Sequence, residues 1–540
     1  MKPRARWGNG TVVVPVLAAI LGFSALLAWA LSSPVGSTPD EDYHLVSMWC
    51  GQGDRPDVCD PGTDALNRKV PVGLTEANCY VFKPETSAAC QGDALAPDDE
   101  TVPSARGNFS GDYPPVFYFA ASIFVGDSII TSVMAFRAAN AALFIVLIGA
   151  TAALSTAGLR RAVLLAAVTT AVPLSVFLVP SINPSSWAVL SSVTLATSAL
   201  GYITADSRPR RLALGVIAGF SLLLGAGARA DAAIYSAIAV GGAGLIALTR
   251  TRDWRRYLYP ALLVVLAAVS YFASGQSAAA EGGSRTVQSL HDFGTVLLDV
   301  PSLWAGALGT WSLGWFDTAM PPTVWFTAIA LYAGVVFTAL GRVSRLQALV
   351  LVGVGTALVV IPAYIQYLTG VPVGAYIQPR YILPLLAVLV SLAVARLQGP
   401  AFRLSRVQWL LLVAGLSVAN AVALHQNFRR YVTGLDAPYL NLEFRREWWW
   451  GTSALPGPMT VWALGSLAFA GAVALATYGI TRPAPADKLV SFVGARHASA
   501  ADTPAADVSP ADADPSWRPQ GSPPEPTPDR RSRRSATRTA

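Results

Sequence analysis

Long runs of apolar residues recur along most of the chain and are separated by short polar segments. A helix needs about 20 residues to cross about 30 Å of hydrocarbon, and these runs approach or reach that length. The predicted membrane-spanning helices are residues 11–31, 133–155, 162–181, 185–204, 210–226, 231–249, 258–274, 322–341, 346–366, 380–397, 407–424 and 459–480. The pattern therefore predicts an all-α polytopic membrane protein with about 12 transmembrane helices.

Two further apolar stretches do not fit this pattern. Residues 113–127 are too short to cross, which favours an interfacial or re-entrant helix. Residues 294–316 are nearly long enough, but counting them as a span would move the segment "GRVSR" to the outer side. We expect them to form external helices that lie on the membrane. The first run follows a basic start but is long for a secretion signal, so we interpret it as a retained span.

Arginine is concentrated in alternate connections between the predicted spans. The segments are "GLRRA", "DSRPRRLA", "TRTRDWRRY", "GRVSRLQ" and "RLQGPAFRLSR". Positive residues favour the cytoplasmic side, so both termini are predicted to be cytoplasmic. The net charge of +7 forms no single basic patch, which argues against nucleic acid as a partner. Scarce lysine and abundant arginine and alanine indicate a GC-rich bacterial genome, and hence the cytoplasmic (inner) membrane.

These assignments divide the chain into cytoplasmic, membrane and external parts. The predicted parts are a cytoplasmic N-terminus (1–10), a first transmembrane helix (11–31), an extracytoplasmic loop with four cysteines (32–132), transmembrane helices two to seven (133–274), a second extracytoplasmic loop (275–321), transmembrane helices eight to twelve (322–480) and a cytoplasmic tail (481–540). The tail is rich in Pro, Ala, Asp, Ser and Arg, so we predict that it is disordered.

All the cysteines lie in the first external loop, at Cys50, Cys59, Cys79 and Cys90. Four cysteines in an oxidising compartment favour two disulfides, with three possible pairings. A zinc site is the competing interpretation, but no CxxC pair or histidine cluster supports it.

Acidic residues crowd into "STPDEDYHL", directly after the first span. Thr38 suits a helix N-cap, Pro39 the first helical position, and Glu41 the closure of a capping box, which is a purely structural explanation. Asp40 and His44 are four residues apart, so a helix places them on one face. A carboxylate at the outer membrane boundary is suited to accept a proton from a hydroxyl group. The spacing alone leaves both interpretations open.

Four ordered motifs resemble a bacterial membrane family known as domain-of-unknown-function family 2142. They are "TPDEDYH" after the first span, "SINPSSWAVL" between the third and fourth, "LGWFDTAMP" before the eighth, and "QPRYILPLL" at the tenth. That family in turn resembles the GT-C glycosyltransferases, multi-span enzymes that use polyprenyl-phosphate sugars and an acidic residue in the first external loop.

The resemblance implies that Asp40, or Glu41 beside it, is the catalytic carboxylate. Family members often carry Asn-Pro-Asp between spans three and four, whereas Asn183-Pro184 is followed here by Ser185. The missing carboxylate weakens the case for a metal held by two acidic loops. We therefore predict no metal and no cofactor, with a lipid-linked sugar as the donor substrate.

Several other charged and aromatic residues are candidates for substrate binding. Arg380 is placed to hold a lipid-linked phosphate, although Arg380 and Tyr381 also suit an interfacial anchor pair. Arg229 suits either an ion pair with Asp231 or a second phosphate contact. The predicted substrate-binding residues are His44, Asn183, Arg229, Asp317, Arg380 and Tyr381. Asp317 alternatively caps a turn, and we expect Arg137 to snorkel towards the membrane surface.

The leading hypothesis is a membrane glycosyltransferase acting on the extracytoplasmic face. Its partners would be the lipid bilayer, a polyprenyl-phosphate sugar and a cell-envelope glycan or lipid acceptor. A transporter or flippase of an envelope lipid precursor is the first alternative, and it predicts charged or broken helices near the membrane centre. A non-catalytic scaffold is the second, and it tolerates the loss of Asp40 and Arg380.

Overall fold

The structure, a computed structural model, describes residues 10–96, 100–275, 290–369, 373–374, 377–450 and 455–482. The predicted disordered tail falls almost entirely outside these residues. The described α-helices are α1 (Gly10–Leu31), α2 (Glu41–Trp49), α3 (Gly73–Glu76), α4 (Val116–Ser122), α5 (Ile129–Leu154), α6 (Ala157–Thr169), α7 (Pro173–Leu178), α8 (Ser185–Thr204), α9 (Arg208–Ala228), α10 (Ala230–Ala247), α11 (Leu258–Phe272), α12 (Leu290–Asp299), α13 (Pro301–Ala305), α14 (Pro322–Leu340), α15 (Arg345–Thr369), α16 (Pro379–Val394), α17 (Arg406–Val432) and α18 (Pro458–Tyr478).

Nine helices in the described part of the chain are long and apolar enough to cross a membrane. They are α1, α5, α8, α9, α10, α14, α15, α17 and α18. Mean hydropathy is high in all nine, and most leave a large apolar surface outside the bundle, as lipid contact requires. The protein is therefore a mainly helical membrane protein, as the hydropathy pattern predicted.

The other three predicted spans correspond to shorter helices. The span predicted at 162–181 is divided between α6, with 13 residues, and α7, with six, because the chain leaves the helix before Pro173. Helices α11 and α16 have 15 and 16 residues. The predicted number of twelve is thus only partly supported, since a hydropathy window averages across such breaks.

The two ambiguous apolar stretches contain no long helix. Residues 113–127 include only the seven-residue α4. Residues 294–316 include the end of α12, then α13, and then a π-turn at Gly306–Thr310. Neither stretch can cross a membrane as one helix.

The loop between α1 and α5, named the external loop because it lies outside the bundle of long helices, contains a small sheet and two disulfides. Strands β1 (Asp60–Pro61), β2 (Arg68–Pro71) and β3 (Thr101–Ser104) form an antiparallel sheet in the order β1-β2-β3. Disulfides join Cys50 to Cys59 and Cys79 to Cys90. The predicted disulfides are confirmed, with neighbours along the chain paired, and all four sulfurs are used, which excludes the zinc interpretation.

Helix α8 lies at the centre of the bundle and is almost entirely buried. It packs against α6, α9, α10 and α16, and α1 packs against α18. Asp40, which follows α1, thereby meets Arg380, at the start of α16, and the turn between α9 and α10 lies beside Tyr381. These loops all meet at one end of the bundle.

Candidate functional site

Helix α2 begins at Glu41, so the N-cap predicted at Thr38 is wrong. Thr38 and Asp40 form a tight turn instead, in which the Glu41 amide donates to the Thr38 carbonyl oxygen over 3.0 Å. Asp40 is the residue before the helix and has a left-handed backbone, φ 59° and ψ 17°. Aspartate tolerates this conformation better than most residues. The turn directs the side chains of Asp40 and Glu41 into different surroundings.

Glu41 is fully buried and both of its carboxylate oxygens have partners. One accepts from the Thr38 amide and hydroxyl at 2.7 and 2.9 Å, and the other from Arg137 at 3.0 Å. Arg137 is also fully buried, so the expected snorkelling is wrong. Its guanidinium donates to the carbonyl oxygens of Ala30, Ser33 and Pro34 and holds the turn after α1. This geometry favours a structural role for Glu41, whereas Asp40 is free of these main-chain contacts at its carboxylate.

Asp40 is partly open and faces two arginines. Its Oδ2 lies 2.5 Å from Nη2 of Arg380, and its Oδ1 lies 3.5 Å from Nη2 of Arg106. The Asp40 side chain is 35% exposed, Arg380 is 3% exposed and Arg106 is 52% exposed. The carboxylate therefore lies between a buried cation and a surface cation.

These arginines keep Asp40 ionised. Burial by itself raises the pKa of Asp40, but the charge of Arg380 beside it, supported by Arg106, more than offsets this effect. The pKa of the carboxyl group consequently lies below its ordinary value. At neutral pH Asp40 is a carboxylate that can accept a proton.

Arg229 and Tyr381 extend the site. The Arg229 guanidinium lies 4.0 Å from the centre of the Tyr381 ring and donates to both oxygens of Asp231, at 2.8 and 3.0 Å. Arg380 donates to the Tyr381 hydroxyl over 3.0 Å. The expected Arg229–Asp231 ion pair is therefore present. The six charged residues, which we name the ionic cluster, are Asp40, Asp42, Arg106, Arg229, Asp231 and Arg380.

His44 lies beside the ionic cluster within a group of tyrosines. Its Nδ1 is 2.8 Å from the hydroxyl of Tyr118, and its ring contacts Tyr43 and Tyr113 edge to face. Burial lowers the pKa of His44 to about 3, so the imidazole is neutral at physiological pH. A neutral ring can exchange a hydrogen bond but contributes no positive charge.

Asn183 supports the turn that contains Asp40. Its Nδ2 donates to the Pro39 carbonyl oxygen over 2.9 Å, and its Oδ1 accepts from the Ser185 amide over 3.0 Å. Because both ends of the amide are occupied, Asn183 acts on Asp40 through the backbone of its neighbour. Its predicted contact with substrate remains a prediction.

Asp317 pairs with Arg430 rather than with an arginine of the ionic cluster. The two side chains are buried and lie 2.7 Å apart. Arg430 also donates to the carbonyl oxygens of Tyr80 and Thr86, so the pair connects α17 with the external loop. This contact favours a structural role for Asp317.

Arg106 is the charged member of the site that sequence reasoning missed. It follows β3 and donates to both oxygens of Asp42, at 2.7 and 3.2 Å. No apolar span or motif surrounds it, and 64 residues separate it from Asp42. Only the fold of the external loop brings it to the acids.

A pocket lies against Arg380 and Pro39, and it encloses about 310 Å³ of empty space, including the part open to solvent. Its other lining residues are Leu174, Phe177, Gly306, Trp311, Ser312, Leu313, Gly314, Phe316, Gln378 and Pro379. Within the described ranges, Nε and Nη1 of Arg380 and Oε1 of Gln378 are buried without a hydrogen-bond partner. No group of three or more His, Cys, Asp or Glu among the described residues is arranged to hold a metal ion.

The bundle of apolar helices with an ionic cluster at one end defines a polytopic membrane protein. The sequence matches the family model described as "Predicted membrane protein (DUF2142)" over residues 23–390, more than half of the chain, and the chain belongs to this family. No curated protein and no solved structure matched the chain. The predicted resemblance to the GT-C superfamily is not supported by these comparisons.

Proposed function

We propose that the protein transfers a sugar from a polyprenyl-phosphate donor to a hydroxyl group of a cell-envelope glycan or lipid. The reaction takes place on the extracytoplasmic face of a bacterial cytoplasmic membrane, with both termini on the cytoplasmic side. One observation carries the proposal: Arg380 is buried, holds Asp40 through one nitrogen, and has two further nitrogens without partners among the described residues. A base and a cation suited to a phosphate therefore lie side by side.

The chemistry follows from these two groups. Asp40 accepts the proton of the acceptor hydroxyl while the hydroxyl oxygen forms a bond to the anomeric carbon. The bond from that carbon to the phosphate oxygen breaks, and the phosphate leaves with the electron pair. Attack from the side opposite the phosphate inverts the configuration of the sugar. Arg380 donates to the phosphate oxygens, where negative charge increases during the reaction.

The charges of the ionic cluster suit a reaction in which Asp40 gains a proton while the phosphate leaves as an anion. The three arginines, Arg106, Arg229 and Arg380, balance three carboxylates in the resting state. When Asp40 accepts a proton it becomes neutral, and Arg380 loses its counter-charge. The departing phosphate gains negative charge in the same step, so Arg380 exchanges one anionic partner for another.

Transfer of sugar to an acceptor by the purified protein in lipid vesicles tests the proposal. We expect Asp40→Asn to lower turnover about 10²- to 10⁴-fold, the range for loss of a general base. Arg380→Gln should lower it about 10²- to 10³-fold. Asp54→Asn is the matched control, because Asp54 is an exposed acid in the same loop that pairs with Arg68.

Each alternative function predicts a different result. If Asp40→Asn transfers sugar at the wild-type rate, Asp40 is not the base and the proposal fails. A flippase would move a fluorescent lipid precursor across the vesicle membrane without forming a glycosidic bond. A scaffold would tolerate both substitutions in a test of cell growth.

A further inference from the structure

We infer that the pocket beside Arg380 is the sugar subsite, with Gln378 and Trp311 as the residues that distinguish a glycosyl phosphate from a lipid phosphate without sugar. This inference rests on the proposed function and assigns residues that it leaves open. The pocket is lined both by the aromatic ring of Trp311 and by two polar side chains, Gln378 and Arg380. These two side chains have buried atoms without hydrogen-bond partners among the described residues.

The polar side of the pocket requires a ligand that both donates and accepts hydrogen bonds. Oε1 of Gln378 is an acceptor, whereas Nε and Nη1 of Arg380 are donors, and all three lack partners in the described part of the chain. Buried polar atoms without partners are costly, so a ligand that supplies partners is stabilised. A prenyl chain offers no donor. A glycosyl phosphate offers hydroxyl groups for Gln378 and phosphate oxygens for Arg380.

The aromatic side of the pocket is held in place by the turn at 311–318. Leu313 and Thr318 pair across this turn, and Trp315 donates from Nε1 to the Gly36 carbonyl oxygen over 2.9 Å. The rings of Trp311 and Phe316 meet edge to face with their centres 5.9 Å apart. Ring faces carry partial negative charge, and the C–H groups of a sugar pack favourably against them.

Backbone geometry in and beside the same turn is typical of a ligand-binding site. Phe316 has a left-handed backbone, φ 61°, which a bulky residue rarely adopts, and its side chain is 41% exposed. Strained residues of this kind concentrate at ligand sites. A Cβ on Gly306 would lie 2.5 Å from Pro379 and 2.7 Å from Trp311, so only glycine lets the indole lie close to the start of α16.

The lining residues divide the pocket into an apolar and a polar part. Leu174 and Phe177 belong to the apolar part, whereas Ser312, Gln378 and Arg380 belong to the polar part.

Calorimetric titration of the protein in lipid nanodiscs tests the inference. The probes are citronellyl-phosphoryl hexoses and pentoses, each compared with citronellyl phosphate without a sugar. Gln378→Leu and Trp311→Ala should each weaken binding of the preferred glycosyl phosphate about three- to tenfold, as expected for one lost polar or aromatic contact. Neither should change the affinity for citronellyl phosphate. Arg380→Gln should weaken both.

Controls separate binding from folding. Trp254→Ala removes an exposed tryptophan elsewhere in the chain and should bind as the wild type does. Trp311→Phe retains an aromatic face and should recover most of the affinity. If Gln378→Leu and Trp311→Ala weaken both probes equally, or neither, the sugar subsite is refuted while the proposed transferase stands. If the wild-type protein binds no glycosyl phosphate in the panel, the proposed function fails with it.

Discussion

Asp40 and Glu41 are neighbours in the chain, and each pairs with an arginine, yet their surroundings differ. The Glu41–Arg137 pair is closed to solvent. Both Nη atoms of Arg137 and both oxygens of Glu41 have hydrogen-bond partners, and Nε of Arg137 alone in this pair lacks one among the described residues. In the Asp40–Arg380 pair the carboxylate is partly exposed, and Nε and Nη1 of the guanidinium lack hydrogen-bond partners among the described residues. The first pair fixes the turn after α1. The second retains the capacity to exchange a partner, which a reaction requires and a structural contact does not.

The different positions follow from one backbone feature. The left-handed conformation of Asp40 turns the chain sharply between two adjacent side chains. Glu41 then lies beneath the turn, among the carbonyl groups that follow α1, whereas Asp40 faces the start of α16. The proposed function thus assigns separate roles to the adjacent acids, one in stability and one in chemistry.

The largest effect is expected at Asp40 and should fall mainly on activity. Asp40→Asn preserves the size of the side chain but removes the proposed base, so turnover should fall about 10²- to 10⁴-fold. Thermal unfolding in detergent should change less than after the loss of Glu41, because the Asp40 side chain is partly exposed and the Asn oxygen can still accept a hydrogen bond from Arg380. Turnover and melting temperature are measured on the same preparation. A large loss of thermal stability would show that Asp40, like Glu41, holds the fold.

The opposite result is expected at Glu41. Glu41→Leu leaves Arg137 buried without its counter-charge, which should lower the free energy of unfolding by about 3–5 kcal/mol. The double variant Glu41→Leu with Arg137→Met removes both charges but should recover no more than part of this loss, because the carbonyl oxygens of Ala30, Ser33 and Pro34 lose their donor. Unfolding in mixed detergent micelles measures both. If the single variant is as stable as the wild type, the buried pair contributes nothing to the fold.

A smaller effect, on both stability and turnover, is expected at Asn183, because its side chain supports the turn that carries Asp40. Asn183→Ala removes the donor to the Pro39 carbonyl oxygen and leaves a buried acceptor unpaired. The free energy of unfolding should fall by about 1–3 kcal/mol. Turnover should also fall, with little change in KM, because the turn that carries Asp40 is less well fixed. Asn67→Ala, in the exposed turn between β1 and β2, is the comparison variant. Unchanged turnover in Asn183→Ala would limit its role to stability.

The sequence allows the membrane helices to be predicted well because hydropathy is a local property. The nine candidate spans found among the described residues follow directly from apolar runs, and the existence of disulfides follows from four cysteines in one loop. The short helices α6 and α7 are less predictable, since the break before Pro173 falls inside one apolar run. Which cysteines pair depends on how the loop folds, and the spacing leaves three choices.

The candidate site is predictable only in part, because its contacts join residues that are distant in the chain. Asp40 and Arg380 are 340 residues apart, and their separate motifs identify each residue without indicating that they touch. The separation of Asp40 from Glu41 depends on a single left-handed residue, which no periodic pattern reveals. Arg106 belongs to no motif, and the fold of the external loop alone brings it to Asp42. Ion pairs of this kind are products of packing.

The smallest effect is expected at Arg106, which tests how the charges around Asp40 set the pKa of its carboxyl group. Its side chain is half exposed, so Arg106→Gln should change the free energy of unfolding by no more than about 1 kcal/mol. The positive charge of Arg106 helps to lower the pKa of Asp40, and its removal should raise that pKa. Asp40 must be ionised to act as the base. The acidic limb of the pH profile of kcat/KM should therefore move to higher pH, and this shift should be smaller at high salt, because exposed charges are screened.

Arg68→Gln is the control, because it removes an arginine paired with Asp54 in the same loop, and it should leave the pH profile unchanged. A shift to lower pH, or an equal shift in both variants, would mean that Arg106 does not act on Asp40.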